Sequence, residues 1–393
     1  MHEKAEVHNT KKNWKKEPKF IKGSSLGCCK FFVKRDAFTL IELLIVVART
    51  AILSTASFLS LSNFRGMQNL RKTVDEVNAV VVGTQKRSMT QDKGNRWNVR
   101  FSNSTSTGSQ MMVFSSSSYS AGVVDRTYTL NRSILFSEPS IGNIFDASFS
   151  PITGVPQSKK IISMWTGRKD GFVGDIIMNT AGLVTKRTDS GFVGYWHMDE
   201  GGGLSAYDAS GMGNNGTSTL ASWTNGSNCI SGACATFNGD NRIVFGSNFA
   251  DNMSAITVTA WVYSTNGGYA LGYAAKDDLG SQRSWYFGMN DASSFKAAIW
   301  TTTGRTDIIM PGFSLNTWNH VAFVYDGSNM YLYLNGRSTS TPKTGKILSN
   351  PGTPVTIGSL STGYLFYGKL DEIKIYNRAL SATEILNQYN DLK

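Results

Sequence analysis

Residues Phe38 to Leu61 form a nearly unbroken apolar run of about 24 residues, and nothing else in the chain matches it. At 1.5 Å per residue in a helix, that length spans the roughly 30 Å hydrocarbon core of a bilayer. The segment before it is long, polar and basic. A secretory signal has a short charged start and a small-residue cleavage site after its apolar core, so any cut here must precede the core. The chain has 393 residues and a formal charge of +11. Its first 37 residues carry ten Lys and Arg against four Asp and Glu, which is +6 of that total. The rest of the chain is only weakly basic and has no run of cations to track a phosphate backbone, so nucleic acid is not the expected partner.

The junction reads Lys34, Arg35, Asp36, Ala37, Phe38, Thr39, Leu40, Ile41, Glu42, Leu43, Leu44, Ile45, Val46, Val47. It closely resembles the cleavage and methylation motif of type IV prepilins and pseudopilins. The resemblance implies that a prepilin peptidase/methyltransferase cuts after Ala37 and N-methylates Phe38, and that Thr39 and Glu42 take the family's places at the second and fifth mature positions. A carboxylate in a membrane helix costs roughly 2.5–3.5 kcal/mol unless it finds a partner. The family's partner is the N-terminal amine of a neighbouring subunit in the filament. Two residues depart from the pattern. Ala37 stands where the family has glycine, which predicts slower cleavage, and Arg49 interrupts the apolar stretch. Glu42 and Arg49 are seven residues apart, close to two helical turns, and so share a face on which they could pair between staggered subunits.

Phe64, Met67, Leu70, Val74, Val77 and Val81 recur at steps of three and four, and no proline occurs between Phe38 and Thr90. The spacing predicts one helix of about 50 residues whose later half lies on a small globular head. Beyond Gly94, short runs at Trp97–Phe101, Met111–Phe114, Tyr128–Leu130 and Ile134–Phe136 read as strands separated by Ser/Thr/Gly loops. Phe149 to Gly154 and Gly174 to Val184 resemble the terminal hairpin of minor pseudopilins of the GspH/FimT type.

From about Gly191 the composition shifts to Gly, Ser, Thr, Asn and aromatics in alternation, the pattern of an antiparallel sandwich. In Ile256–Tyr263, Ile256, Val258, Ala260 and Val262 form a core face, and Thr257, Thr259, Trp261 and Tyr263 decorate the other. Asp326 to Asn329 reads as a turn between two strands. Gly194-Tyr195-Trp196, Tyr207-Asp208-Ala209-Ser210-Gly211, Phe237-Asn238-Gly239-Asp240, Trp318-Asn319-His320-Val321-Ala322, Leu334-Asn335-Gly336 and Gly368 to Ile373 resemble, in order and spacing, the laminin-G-like, concanavalin A-type jelly roll. The resemblance implies a glycan- or protein-binding module, often with a calcium ion ordering its loops. Asp199, Asp208 and Asp371 are the hard oxygen ligands available for it, or else they cap turns. Asn238, where relatives commonly have aspartate, weakens that case. Trp223 or Trp300 could stack on sugar rings, although such tryptophans are more often core; the ligand-binding residues are otherwise unknown.

Cys229 and Cys234, close together in a Ser/Gly/Asn-rich stretch, read as a disulfide of an exported domain that pins a loop. No nucleotide loop or zinc motif appears. The acidic doublets Asp199-Glu200 and Asp371-Glu372 would point to opposite faces of a strand, not into one hydrolytic cleft, so no enzyme is expected. The chain is therefore expected to be α+β with a long N-terminal transmembrane helix, followed by an all-β jelly-roll sandwich. Its parts are a leader at 1–37, an assembly helix at 38–64, a pseudopilin-like head at 65–190 and the sandwich at 191–393. The expected role is a pilin-like filament subunit, anchored in the inner membrane with its globular part outside the cytoplasm. Its partners are other pilin subunits and possible glycan or surface-protein ligands. The alternative is a structural, tip-capping pseudopilin of a secretion or DNA-uptake system.

Overall fold

The computed structural model describes residues 40–393 except 105, 116–121, 140–141, 167–171, 180, 221, 270 and 361–362; side chains at 40, 42, 43, 46 and 50–63 are outside the description. The chain divides into two compact units at Ser57/Phe58, and the second holds the head and the sandwich. Helix α1 runs from Leu40 to Met89, fifty residues. The membrane-crossing segment expected at 38–64 falls largely on side chains outside the described set. Among the described residues no helix is long and apolar enough to cross a membrane.

The periodic stripe does what its spacing predicts from Leu70 onward. Leu70, Val74, Val77 and Val81 are at most 1% exposed and join the core of the head, whereas Phe64 remains exposed. Past Met89 the backbone at Gln91 turns left-handed and the helix stops. Its last turns are tied down by side chains. Gln85 Nε2 donates to the carbonyls of Gly154 and Gly182, and Ser88 Oγ donates to that of Phe149. These carbonyls lie in the two segments that resemble a terminal pseudopilin hairpin.

The head has two antiparallel four-stranded sheets. One runs in the order Val123–Thr129, Gly108–Ser115, Trp97–Ser104, Ile144–Ser148. The other, the docking sheet, runs Leu135–Glu138, Lys160–Trp165, Val173–Met178, Val184–Asp189. Ile162, Met164, Ile176 and Met178 of the docking sheet face the helix stripe, and the alternate residues Ile161, Val173 and Ile177 pack on the next domain. Every residue of Val173–Met178 is buried.

That next domain is a sandwich. Its back sheet is built on Tyr367–Tyr376, which pairs with Ala233–Asn238, with Ile256–Ser264 and with Phe192–Trp196; Trp318–Tyr325, Asn329–Leu334 and Arg337–Pro342 continue the sheet outward. The front sheet ends in the ladder Gly272–Asp277, Arg283–Asp291, Ser294–Thr301, Gly304–Pro311. Between the sheets lie Trp196, Trp285, Phe287, Phe295, Phe323 and Phe366. The turn expected at Asp326 to Asn329 joins two paired strands, with the Asp326 carboxylate accepting from the Ser328 and Asn329 amides.

Ile256, Val258, Ala260 and Val262 face the sandwich core as the alternation predicts. The opposite face is not a decorated surface. Trp261 is buried in a cluster with Ile161 and Ile177 of the docking sheet and Leu392 of helix α2, Ala382–Leu392. A capping box of Ser381 and Glu384 starts α2. The docking sheet and α2 together cover the back sheet. Contact is close enough that a Cβ at Gly211 would collide with the Trp165 ring.

Because Leu70 joins the helix stripe to the head core, Leu70→Ala is expected to destabilise the protein by about 2–5 kcal/mol. Denaturant unfolding of the purified protein, followed by tryptophan fluorescence, measures it; a change under about 1 kcal/mol would contradict the packing described.

Candidate binding cleft

Of the residues singled out for processing and assembly, Ala37, Phe38 and Thr39 lie outside the described residues. Glu42 is within helix α1 with its side chain outside the description, and Arg49 is exposed on the same helix. Cys229 and Cys234 form the expected disulfide.

Asp199, Asp208 and Asp371 do not assemble into a calcium cage, and among the described residues no group of three or more His, Cys, Asp or Glu side chains could hold a metal ion. Each carboxylate accepts from N–H donors instead. Asp208 takes the amides of Tyr195, Ser210 and Asn214. Asp371 Oδ2 takes those of Ile230 and Ser231 inside the disulfide loop. Asp199 takes the amide of Ala233 and the Lys160 ammonium, and a Cβ at Gly232 would collide with its carboxylate. An oxygen surrounded by donors is poorly placed to ligate a cation. Of the three carboxylates only Asp371 keeps a buried oxygen, Oδ1, without a partner among the described residues, and one such oxygen makes no cage, so these residues together do not fit calcium.

Between docking sheet and back sheet lies a buried polar layer. Asp371 and Glu372 were expected to point to opposite faces, but the back strand bulges here. Asp371 pairs with Trp261 and Lys374 with Thr259, so two residues oppose Ala260, and Glu372 is left-handed with φ 52°. The bulge turns both carboxylates to the docking sheet. Glu372 accepts from Tyr195 Oη at 2.6 Å and pairs with His197 Nδ1 at 2.8 Å. Burial alone would raise Glu372, yet His197 and Lys374 hold it at about 2. Burial opposes the charge on His197, but Glu372 outweighs it and the ring's pKa is raised. Asp371, buried beside Glu372, is pushed well above the usual carboxylate range.

Ser163, His197 and Glu372 have the connectivity of a hydrolase triad, with Ser163 Oγ 2.9 Å from His197 Nε2. The protons run the wrong way for one. Ser163 Oγ donates to Asp175 Oδ1 at 2.6 Å, so its lone pair receives Nε2–H and the imidazolium keeps no basic nitrogen. Ser163 is also fully buried.

The outward face of the front sheet carries a different feature, a cleft of about 130 Å³. Alternation puts Trp285, Phe287, Phe295, Ala297 and Ile299 into the core, and Tyr286, Lys296, Ala298 and Trp300 on the outer face. The registers Ala275↔Tyr286, Tyr286↔Ala298 and Ala298↔Asp307 place two alanines in one row, and those small side chains leave the depression. Tyr269 and Tyr364 stand at its rim, 63% and 48% exposed. Trp300 carries two guanidinium groups, Arg283 and Arg305, with their Cζ atoms 4.6 and 5.1 Å from its ring centroid. Arg283 Nε donates to both oxygens of Asp277, and Arg305 grips Asp307 at 2.6 Å through two nitrogens. Trp300, one of two tryptophans named from sequence as a stacking platform, thus holds arginines. Trp223 packs against the sandwich core and donates to the Gly203 carbonyl. Arg283, Lys296, Arg305 and Tyr269 were missed; the outward alternation of Lys296, Ala298 and Trp300 was the available signal.

A second depression lies where the two domains meet, lined by Glu138, Asn143, His197, Asp199, Glu200 and Tyr207. Burial pushes Asp199 up to about 6 and Glu200 up to about 7. Glu200 Oε1 accepts from the Tyr207 amide, and its Oε2 is buried with no partner. A folded pKa above the unfolded one means that ionising Glu200 costs stability as pH rises from about 4.5 through 7. Glu200→Gln keeps the amide bond and removes that charge. It is expected to match the parent at pH 5 and to be more stable at pH 8 by about 1–2 kcal/mol, read from melting curves at both values; an equal effect at both would refute the assignment.

Residues 237–386 match the laminin-G-type family described as the concanavalin A-like lectin/glucanases superfamily. No curated protein matches the chain. Among solved structures it is similar to the binding domain of Paraclostridial Mosquitocidal Protein 1, at 18% identity and a TM-score of 0.43 over 51% of this chain and 52% of that one. It is also similar to domain 4 of AbnA, a GH43 extracellular arabinanase from Geobacillus stearothermophilus, at 17% and 0.37 over 51% and 98%. The receptor-binding domain of botulinum neurotoxin type G gives 16% and 0.39 over 51% and 51%. The chain thus spans about half the length of the two toxin domains. The C-terminal domain is a laminin-G-like, concanavalin A-type jelly roll.

Proposed function

We propose that this chain is a type IV pilin-like subunit, a minor pilin or pseudopilin, that displays its jelly roll as a glycan- or protein-binding module. One observation carries the binding half: the back sheet is covered by the docking sheet and α2, while the front sheet presents an open cleft with exposed tyrosines at its rim. Such a concave, aromatic-rimmed surface with a few convergent polar groups is what a ligand site requires. Binding without hydrolysis fits the cleft, because its carboxylate Asp277 and the neighbouring Asp307 are both held by arginines.

The pilin half rests on the junction around Ala37, Phe38 and Glu42 and on the single helix Leu40–Met89, whose later stripe seats in the head. In this reading the apolar run anchors the subunit in the inner membrane and packs against other subunits. The globular part lies outside the cytoplasm, where the Cys229–Cys234 bridge is stable. A domain of about 200 residues on every subunit would crowd a filament, which favours a minor component.

Two measurements test the halves separately. Mass spectrometry of the membrane-extracted protein is expected to find N-methylated Phe38 at its start, and an intact leader would overturn the filament reading. Arg49→Leu is expected to reduce incorporation into filaments, measured as the sheared fraction; unchanged or improved incorporation would remove the proposed pairing with Glu42.

A further inference from the structure

We infer that the front-sheet cleft takes an acidic sugar, one whose carboxylate or sulfate ester is received by Lys296 and the two arginines beside Trp300. This deepens the binding role proposed above and depends on it.

Lys296 carries the argument. Its side chain lies on the outer face of the front sheet, yet the residue is only 5% exposed. Its ammonium donates to Tyr269 Oη at 2.9 Å and sits 4.0 and 5.7 Å from the ring centroids of Tyr269 and Tyr286. Among the described residues it forms no ion pair, whereas the comparably buried Lys160, Lys276 and Lys374 each have a carboxylate within 4 Å. Lys343, 6% exposed, also lacks one among the described residues and donates to the Gly304 carbonyl, whereas Lys296 has only the Tyr269 hydroxyl. An ammonium has three donors, and a buried charge left without a counterion is costly. Two of its donors have no acceptor among the described residues.

The surroundings add positive charge. Arg283 spends only Nε on Asp277, so its two terminal nitrogens make no hydrogen bond among the described residues. Arg305 spends Nε and Nη2 on Asp307 and keeps Nη1. Three cations therefore converge on a cleft whose two nearby carboxylates are already engaged, and the unspent N–H groups have the planar arrangement that suits a carboxylate or sulfate. Stacking of the arginines on Trp300 fixes them in place before any ligand arrives. It also occupies the indole, so a sugar ring would lie against the exposed Tyr269 and Tyr364.

The full chain in detergent, titrated calorimetrically with matched pairs of oligosaccharides, tests this. The pairs are oligogalacturonate with its methyl ester, and sulfated galactan with unsulfated galactan. At least one acidic member is expected to bind tenfold or more tighter than its neutral counterpart, and its affinity should fall as salt rises. Lys296→Met should lose at least tenfold for the acid and leave binding of the neutral partner unchanged. Should Lys296→Met fail to fold, Arg305→Gln, whose side chain is 46% exposed, replaces it with the same expectation. Equal binding of acidic and neutral partners, or acid binding that survives the substitution, overturns the inference and leaves the binding role standing. Absence of binding to all four overturns the inference and counts against the binding role as well.

Discussion

Glu372 occupies a left-handed bulge in the longest strand of the back sheet, and its carboxylate is the acceptor around which the two domains meet. One extra residue in that strand brings two adjacent acids to one face, Glu372 against His197, Tyr195 and Lys374, and Asp371 against the Ile230 and Ser231 amides. Burying that many ionisable groups is expensive, and an ion pair in a dry interface seldom repays its desolvation in full. Splitting the charge states limits the expense. Asp371 is pushed toward its neutral form, Glu372 stays ionised against an imidazolium, and His320, buried near Lys374, is driven down to about 3 and stays neutral. The result is an interface that tolerates one arrangement of partners. Moving Ser163 or Asp175 would leave His197 Nε2–H or Arg187 Nη2 without its acceptor.

Linkage gives that layer a direction with pH. Glu372 falls from 4.5 to about 2 on folding, so its contribution is present above pH 4.5 and is lost as pH drops through 2. His197 is raised on folding, so its contribution is present below pH 6.5 and fades as pH climbs through its higher folded value. The pair is jointly charged in mildly acidic conditions. Glu200, at the edge of the layer, pulls the same way on the alkaline side, because its ionisation is penalised there.

The sequence announces what alternates and hides what bends. The helix stripe at Leu70, Val74, Val77 and Val81 and the core face of Ile256–Ser264 follow from spacing alone, and the turn after Tyr325 follows from the turn-forming residues Asp326, Gly327, Ser328 and Asn329. The strand at Val123–Thr129 was only half visible, at Tyr128, because as an exposed edge it has no buried face to leave a pattern. Trp261 was assigned to the correct face of its strand but the wrong environment. A period of two reports which side chains share a face, not whether a second sheet covers that face. The Asp371-Glu372 doublet misled for a related reason, since a bulge breaks the period where the reading relied on it. Asp199, Asp208 and Asp371 are conspicuous in a loop-rich sequence, but only the fold reveals that amides and a lysine already occupy both oxygens of the first two and Oδ2 of the third. The alternation of Lys296, Ala298 and Trp300 marks an outward face but not the burial of Lys296 on it, because lysine is ordinarily read as solvent-facing.

Two residues, Ser190 and Gly191, separate the last strand of the docking sheet from the first strand of the sandwich. Asp189 accepts from Arg378 and from Tyr376 Oη at the end of the back strand, so the crossing itself is bonded on both sides. A flexible linker would let the sandwich sample many orientations relative to the head. Here the jelly roll continues the head through a buried sheet-on-sheet contact, and the helix stripe seats in the same head. Covering the back sheet in this way removes one face of the sandwich from recognition and leaves the front-sheet cleft facing outward at a fixed angle to the head. A load on that cleft would pass through packed β-structure to the helix, with no compliant segment between the two domains.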